Sequence, residues 1–441
     1  MDGASRVNID LASALAEVER EYVAARPKSQ AQAERAGKSM PGGNTRTVLF
    51  YGPFPSVIDR GEGPTLIDID GNRYTDFLGE YTAGLYGHSH PVIMKVLHET
   101  LDKGVSFGGP NVNEAELSRL VCERFPSVEL VRFTNSGTEG NIMALGTARA
   151  FTGRQKVLGI SGGYHGGVLY FGAGSPAPIN APYPFVLAPY NDIEGTRALI
   201  RQNAAELAAI IVEPMIGNSG IPADVEYLKM LRDEATAHGI VLIFDEVMTS
   251  RLSPGGLQLE HGVMPDMTTF GKYIGGGMSF GAFGGRGDIM RRYDPRQADA
   301  WPHAGTFNNN VLTMAAGVAG LTKIYTPEKS VELSAQGDKF RERLNAIGAK
   351  AGVPLLCSGM GSINVVHFQR TPLRRPADAG KTPIEVRALF QLSMLGRGYY
   401  IARRGFSSLS VVLEPRHYDG FYAAVEAFCE EYRTVLQALD G

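Results

Sequence analysis

"IVLIFDEV", residues 240–247, runs through five apolar residues and stops on two acids. A run this short, with no polar residue alternating in, reads as a strand buried on both faces. Three other stretches share its texture: "LVRFTNSG" (130–137), "KVLGISGG" (156–163) and "AAIIVEPM" (208–215), each set off by a helix-length, more polar segment. Strands buried on both faces with helices between them predict an α/β fold, a mostly parallel sheet covered by helices on either side. Such sheets gather ligands at the carboxyl ends of their strands. Asn135, Glu213 and Asp245 each fall at such an end.

Outward from this sheet the texture changes. Leu11, Leu15, Val18 and Tyr22 recur at helical spacing and predict one apolar helix face. "SMPGGNTR" (39–46) breaks that pattern and delivers Asn44, Thr45 and Arg46 on a loop. "TLIDIDGNRYTDFLG" (65–79) predicts two strands about an Asp70-Gly71 turn. Beyond about residue 325, "KSVELSAQGDKFRERLNAIGAKAG" (329–352) predicts a long helix. Strand-like pieces follow in "SINVVHF" (362–368), "GYYIARRG" (398–405) and "LSVVLEP" (409–415). The expected division is a large domain over residues 76–325 and a smaller α+β domain built from residues 1–75 and 326–441.

Composition narrows the function. The 43 basic and 46 acidic residues are interspersed, so neither a nucleic acid nor an anionic membrane is an expected partner. Cys122, Cys357 and Cys429 are far apart and form no C-x-x-C pair, which argues against a disulfide framework and a cysteine zinc site. "MDGASRVNIDLASALAEVEREY" (1–22) lacks the apolar core of a signal peptide, and no segment has the uninterrupted apolar length of a membrane span. A cytoplasmic protein is the expectation.

The chemistry centres on "TTFGKYIGGGMSFG" (268–281), where Lys272 stands before a glycine cluster. A phosphate-binding P-loop needs glycine where Asp266 stands and Ser or Thr where Tyr273 stands. A dinucleotide fingerprint starting at Gly275 needs glycine at Phe280. His88 and His90 sit in a turn without further ligands, so no metal is expected, and no serine lies in a G-x-S-x-G elbow. A lysine among small residues has another use: partial desolvation lowers its pKa, and the neutral amine forms Schiff bases. Asp245, closing a buried strand, needs a cationic partner. A protonated pyridine nitrogen is one, and pyridoxal phosphate requires both that acid and a lysine. Ser136, Gly137 and Thr138 in "FTNSGTEGN" (133–141) lie between a strand and a helix and suit its phosphate, while Tyr164 in "SGGYHGG" (161–167) offers a flat ring.

Taken together, "TNSGTEGNIMALGTARAFTGRQKVLGISGGYHGG", "VEPM", "IFDEVMTSRL", "TTFGKYIGGG" and "HAGTFNNN" resemble, in order and over nearly the whole chain, the class III (subgroup II) aminotransferases of fold type I. The resemblance implies pyridoxal 5′-phosphate as cofactor and a large domain with a seven-stranded type of sheet. It implies that Lys272 carries the cofactor, Asp245 meets the pyridine nitrogen, and Tyr164 and Val247 cover the ring faces. It places Ser136, Gly137 and Thr138 on the phosphate, with Thr306 reaching it from a second subunit of a homodimer. Met248 departs from the small or polar residues common at its place and receives no role. Glu213 serves either the strand end or groups beside the cofactor; Tyr81 and Tyr86 serve either core packing or the substrate pocket.

Bidentate guanidinium is the natural clamp for a carboxylate. Arg46 in "GGNTRTVLFYGPFP" (42–55) and an arginine in "ARRGFSSLS" (402–410) look like the pair in β-phenylalanine aminotransferases, with Arg404 favoured and the neighbouring Arg403 its alternative. The implied activity is a transaminase that takes the amino group of an aromatic β-amino acid, such as (S)-β-phenylalanine, and gives it to 2-oxoglutarate or pyruvate. A glutamate-1-semialdehyde 2,1-aminomutase and an amine:pyruvate ω-transaminase are the alternatives.

Overall fold

The computed structural model describes residues 10–440. Residues 1–9, part of the stretch inspected for a signal peptide, lie outside the described residues.

A small sheet comes first: β1 (Ile58–Glu62), β2 (Thr65–Asp68) and β3 (Arg73–Asp76) run antiparallel, with Leu66 opposite Tyr74. The Asp68 carboxylate fixes the β2–β3 turn by accepting from the backbone of Asp70 and Asn72, so Ile69 belongs to the turn.

The large sheet contains β4 (Leu130–Thr134), β5 (Lys156–Ile160), β6 (Phe185–Ala188) and β7 (Leu207–Val212). After a two-stranded ribbon of β8 (Met215–Ile216) and β9 (Ile221–Pro222), it continues with β10 (Val241–Asp245), β11 (Met267–Gly271) and β12 (Gly281–Gly285). Its seven strands lie in the order β4-β12-β11-β10-β7-β5-β6, and β12 alone is antiparallel to its neighbours. Every residue of β7 and β10 is buried, the outcome their unbroken apolar runs predict. Alternate residues go to opposite faces. Ile210, Val212, Leu242 and Phe244 join Tyr227, Leu228 and Leu231 of helix Val225–His238 in one cluster. Ala209, Ile211, Val241 and Ile243 join Ala144, Leu145 and Ala148 of helix Gly137–Thr152 in another. Both faces of the sheet are therefore covered by helix, which leaves its carboxyl edge as the open side.

The C-terminal part contains the long helix Pro327–Ala351, then β13 (Leu355–Met360), β14 (Ile363–Phe368), β15 (Tyr399–Tyr400) and β16 (Phe406–Ser408). β13, β14 and β16 form an antiparallel sheet, and β15 adds in parallel to β3, tying the two chain ends together. Of the predicted face of helix Leu11–Ala24, Val18 and Tyr22 are buried, together with Ala14, in the core that also holds Val386, Leu389 and Phe390 of helix Ile384–Gly396, while Leu11 and Leu15 pack half-buried against it. Two strand expectations fail here. "GYYIARRG" keeps only the two residues of β15 as strand, because the chain turns at Arg403–Arg404 to bring Phe406 onto β14. "LSVVLEP" is a turn leading into helix Pro415–Glu431. Among the described residues, no helix is long and apolar enough to cross a membrane, and no cluster of three or more His, Cys, Asp or Glu is arranged to hold a metal.

Candidate active site

Five parallel strands, β4, β5, β7, β10 and β11, deliver their carboxyl ends to one edge. At the end of β4, the Ser136 hydroxyl caps helix Gly137–Thr152 by accepting from Glu139 N at 3.2 Å, while Glu139 returns a bond to Asn135 N at 2.7 Å. The Ser136 cap, with Glu139 holding the preceding residue, leaves the first amides of a sixteen-residue helix at the open edge. Val247, just past β10, packs against this turn so closely that a Cβ on Gly137 would lie 2.8 Å from both its methyl groups. A Cβ on Gly271, at the end of β11, would meet one of them at 3.0 Å. Gly137→Ala is therefore expected to overpack the turn and destabilise the fold by about 1–3 kcal/mol. Thermal unfolding of the variant, and its recovery in the Gly137→Ala/Val247→Ala double variant, would measure it.

Asp245 closes β10 as a buried carboxylate. One oxygen, Oδ2, accepts from Asn141 Nδ2 at 2.8 Å and faces His165 Nδ1 at 2.8 Å; the other, Oδ1, accepts from Val247 N at 3.0 Å. Asn141 cannot swap its amide ends freely, since Nδ2 also donates to the His165 carbonyl and Oδ1 accepts from Thr269 Oγ1 at 2.6 Å. Burial works against a charged His165, but the Asp245 hydrogen bond and the charges of Asp245 and Glu213 outweigh it and raise the pKa of His165. Asn141 and His165 were both inside motifs quoted above, yet neither was singled out. Only their meeting with Asp245 across the sheet edge reveals them.

Glu213, directly after β7, sits beneath Tyr164. Its Oε1 accepts from Tyr164 N at 3.0 Å and its Oε2 from Gly217 N at 3.2 Å. Burial raises its pKa. The Tyr164 ring itself is 43% exposed and rests edge-on against Tyr170, which leaves a face free for stacking.

Lys272 follows β11 with a left-handed backbone, φ 59°, a conformation rare for a side chain of this kind. Asp245 pairs in register with Thr269, which brings the acid and the lysine out of adjacent parallel strands. Burial, followed by the charge of Arg46, lowers the Lys272 pKa to about 8; Arg404 pushes the same way, while Glu80 and Asp245 oppose. The lysine is thus kept partly neutral near physiological pH.

The two arginines expected to clamp carboxylates meet at one ring. Arg46 Cζ lies 5.5 Å and Arg404 Cζ 4.9 Å from the centroid of Tyr81. Arg46 also pairs with Glu80. Arg404 is largely withdrawn from water, its Nε is buried without a hydrogen bond, and burial lowers its pKa. Arg403 points elsewhere, toward the Gly52 carbonyl and the charges of Glu19 and Glu385, while Arg404 faces Tyr81. A cavity of about 590 Å³, lined by Asn44, Glu80, Gly84 and Gly277 among others, opens beside the Arg46–Glu80 pair.

Two expected residues are not brought here. Tyr86 is a correction: it is buried in the main core, its ring packed so that a Cβ on Gly320 would lie 2.5 Å from its hydroxyl, among Tyr273, Tyr325, Arg124 and Arg251. A tyrosine five residues from Tyr81 falls on the far side of the turn. Thr306 is exposed beside Phe307, itself 59% exposed, on a surface segment. Met248, to which no role was given, packs half-buried against the apolar cluster that includes Tyr81 and Phe406, and close to Gly217.

The residues present fit pyridoxal phosphate. A buried acid with acceptor capacity left on Oδ1, a lysine of lowered pKa, an open aromatic face, a valine opposite a tight glycine turn and a helix N-terminus all share one edge.

Comparison with known proteins agrees with this. Residues 50–382 match the family described as aminotransferase class-III. Over 424 residues, 96% of this chain and 97% of the relative, the sequence is 50% identical to a β-phenylalanine transaminase of Variovorax paradoxus. A solved β-phenylalanine aminotransferase structure from that organism superposes with a TM-score of 0.95 at 48% identity, covering 97% of this chain and 99% of the other. A glutamate-1-semialdehyde 2,1-aminomutase of Desulforudis audaxviator is 38% identical over 414 residues, covering 90% of this chain and 95% of the relative.

Proposed function

Since the chain belongs to the class III aminotransferases, pyridoxal-phosphate enzymes that move an amino group between small molecules, we propose that its donor is an aromatic β-amino acid such as (S)-β-phenylalanine and its acceptor a 2-keto acid such as 2-oxoglutarate or pyruvate. The observation that carries this reading is the pair of guanidiniums on the Tyr81 ring. A β-amino acid and a 2-keto acid hold their carboxylates at different distances from the reacting carbon, and both use the same pocket in turn. Two separate cationic clamps, Arg46 for the donor and Arg404 for the acceptor, meet that requirement. The 50% identical transaminase supports the same substrate class.

Bound pyridoxal phosphate supplies a carbonyl carbon and an electron-withdrawing ring. The chain's own residues do the rest. Ser136, Gly137 and Thr138, at the N-terminus of helix Gly137–Thr152, would hold the phosphate, and Tyr164 and Val247 would hold the ring. Asp245, oriented by Asn141 and His165, is the acid that would keep a proton on the ring nitrogen. Lys272, with its pKa of about 8, is the base that would take the proton from the donor's amino-bearing carbon and hold it at Nζ. Tyr81, stacked on Phe406 at 5.6 Å, braces the two arginines. The donor's keto product leaves before the keto acid enters, a ping-pong order. The exposed position of Thr306 suits a phosphate contact in a second subunit, and a homodimer with shared sites is part of this proposal.

The test is the formation of glutamate from β-phenylalanine and 2-oxoglutarate by wild type and Arg46→Ala. Loss of the donor clamp is expected to raise the KM for β-phenylalanine by about 10- to 100-fold while the KM for 2-oxoglutarate changes far less. Equal effects on both substrates, or no glutamate from wild type, would refute the assignment. The 38% identical aminomutase supports a second reading, in which glutamate-1-semialdehyde turns over with no keto acid added. Omitting the acceptor separates the two.

A further inference from the structure

The two arginines differ in one respect that the proposed reaction does not use. Arg46 Nη1 holds the carboxylate of Glu80, whereas Arg404 is surrounded by the neutral phenols of Tyr81, Tyr164 and Tyr170, with Glu213 a more weakly acting acid. We propose that Glu80 is the resident counter-ion of Arg46, occupying the guanidinium until the donor's carboxylate displaces it, and so sets how tightly the site holds carboxylate-bearing donors. This rests on the reading of Arg46 as the donor clamp.

Glu80 is not a freely swinging surface acid. Glu80, Tyr81 and Thr82 are three consecutive residues with left-handed backbones, φ 45°, 51° and 82°. Non-glycine residues hold such conformations only where the surroundings impose them, and they collect at ligand sites. Here the surroundings are visible. Leu78 N and Gly79 N donate to Asp76 Oδ1 at 2.8 and 3.1 Å. Tyr81 stacks on Phe406, and its hydroxyl donates to the Val48 carbonyl at 3.3 Å. The Thr82 carbonyl accepts from Arg251 Nη1 at 3.4 Å, and the same buried guanidinium holds Ser408 Oγ at 2.8 Å and the Leu409 carbonyl. A turn fixed to β16 thus aims Glu80 at Arg46.

The pair is nonetheless open to exchange. The side chains of Arg46 and Glu80 keep 42% and 52% of their exposure, so a small carboxylate in solution reaches the guanidinium. An ion pair this exposed is weak, which makes it displaceable. Both charges act on the Lys272 amine, so the exchange changes the field that the lysine feels. The consequence is asymmetric: the donor meets an arginine that already has an acid and is released readily after its amino group is taken, while the acceptor meets one with no carboxylate attached.

The probe is 3-phenylpropanoate, which is β-phenylalanine without its amino group and cannot react. Its binding to the holoenzyme by calorimetry is compared in wild type, Glu80→Gln and Arg46→Ala, with the neutral 3-phenylpropanamide as control. Glu80→Gln is expected to tighten 3-phenylpropanoate by about 3- to 5-fold, the scale of an exposed ion pair, and to leave the amide unchanged; Glu80→Ala is expected to act in the same direction. A crystal of the wild-type complex is expected to show Arg46 on the ligand carboxylate and Glu80 turned away. Unchanged or weaker binding in both Glu80 variants, equal tightening of the amide, or an Arg46–Glu80 pair intact in the complex would overturn the counter-ion role while leaving the donor clamp standing. Undiminished binding in Arg46→Ala would instead bring down the donor clamp itself.

Discussion

Lys272→Ala is expected to lower glutamate formation from β-phenylalanine and 2-oxoglutarate by at least about 10³-fold, since the variant loses both the covalent attachment and the group that moves the proton. The structure offers no substitute. The arginines near the site, Arg46 and Arg404, carry guanidiniums that stay charged and cannot take up a proton, and the His165 ring is engaged with Asp245. A fall in activity from misfolding is distinguishable by the sign of the stability change. Burial lowers the folded pKa of Lys272 from 10.5 to about 8, so the fold disfavours the charged amine. That penalty is fully present below about pH 8 and fades as pH rises from there toward 10.5, where the unfolded chain also loses the proton. Removing the amine removes the penalty, and the variant without cofactor is expected to unfold at a temperature no lower than wild type without cofactor at pH 7. Partial recovery of turnover on addition of a small primary amine would locate the loss in the proton transfer. Activity within tenfold of wild type would refute the role of Lys272.

Much of this site was legible because it is local. β7 and β10 announce themselves as unbroken apolar runs, and burial on both faces is the only arrangement that satisfies them. The residues that follow such strands land at the carboxyl edge whatever the details of packing, which is why Asp245, Glu213, Ser136 and Lys272 converge. What escaped is what depends on distant partners. His165 and Asn141 matter because they lie within hydrogen-bond distance of Asp245, 80 and 104 residues away in sequence. Tyr81 and Tyr86 look alike in "GEYTAGLYGH", and only the turn of left-handed residues at 80–82 sends one to the arginines and the other into the core. The choice between Arg403 and Arg404 was closed to sequence for the same reason, since adjacent side chains at a turn point apart and nothing local says which one faces Tyr81. The strand expected in "LSVVLEP" failed because its apolar residues are used to pack a turn against the core rather than a sheet.

Asp245→Asn is expected to reduce kcat by about 10²- to 10³-fold, the scale on which a single preorganised electrostatic partner contributes. The substitution conserves shape and removes charge, and the hydrogen-bond network around it has no room for an amide. With its nitrogen in the place of Oδ2, the introduced amide faces Asn141 Nδ2, whose orientation is held by the His165 carbonyl and Thr269 Oγ1. Reversed, its nitrogen faces the Val247 N–H. Either way one buried donor goes unpaired, at a cost of about 1–3 kcal/mol. His165 responds as well. Burial alone pushes its pKa down, and without the Asp245 charge and hydrogen bond that balance reverses, so the raised pKa is expected to fall. Proton NMR titration of the His165 imidazole reads this directly, independently of turnover. In wild type the raised pKa means that the charged histidine adds stability fully present below pH 6.5 and lost as pH rises through the higher folded value; in Asp245→Asn that increment is expected to disappear. A kcat within fivefold of wild type at equal cofactor content, with the His165 titration unmoved, would show that the buried carboxylate neither orients the histidine nor serves the ring nitrogen.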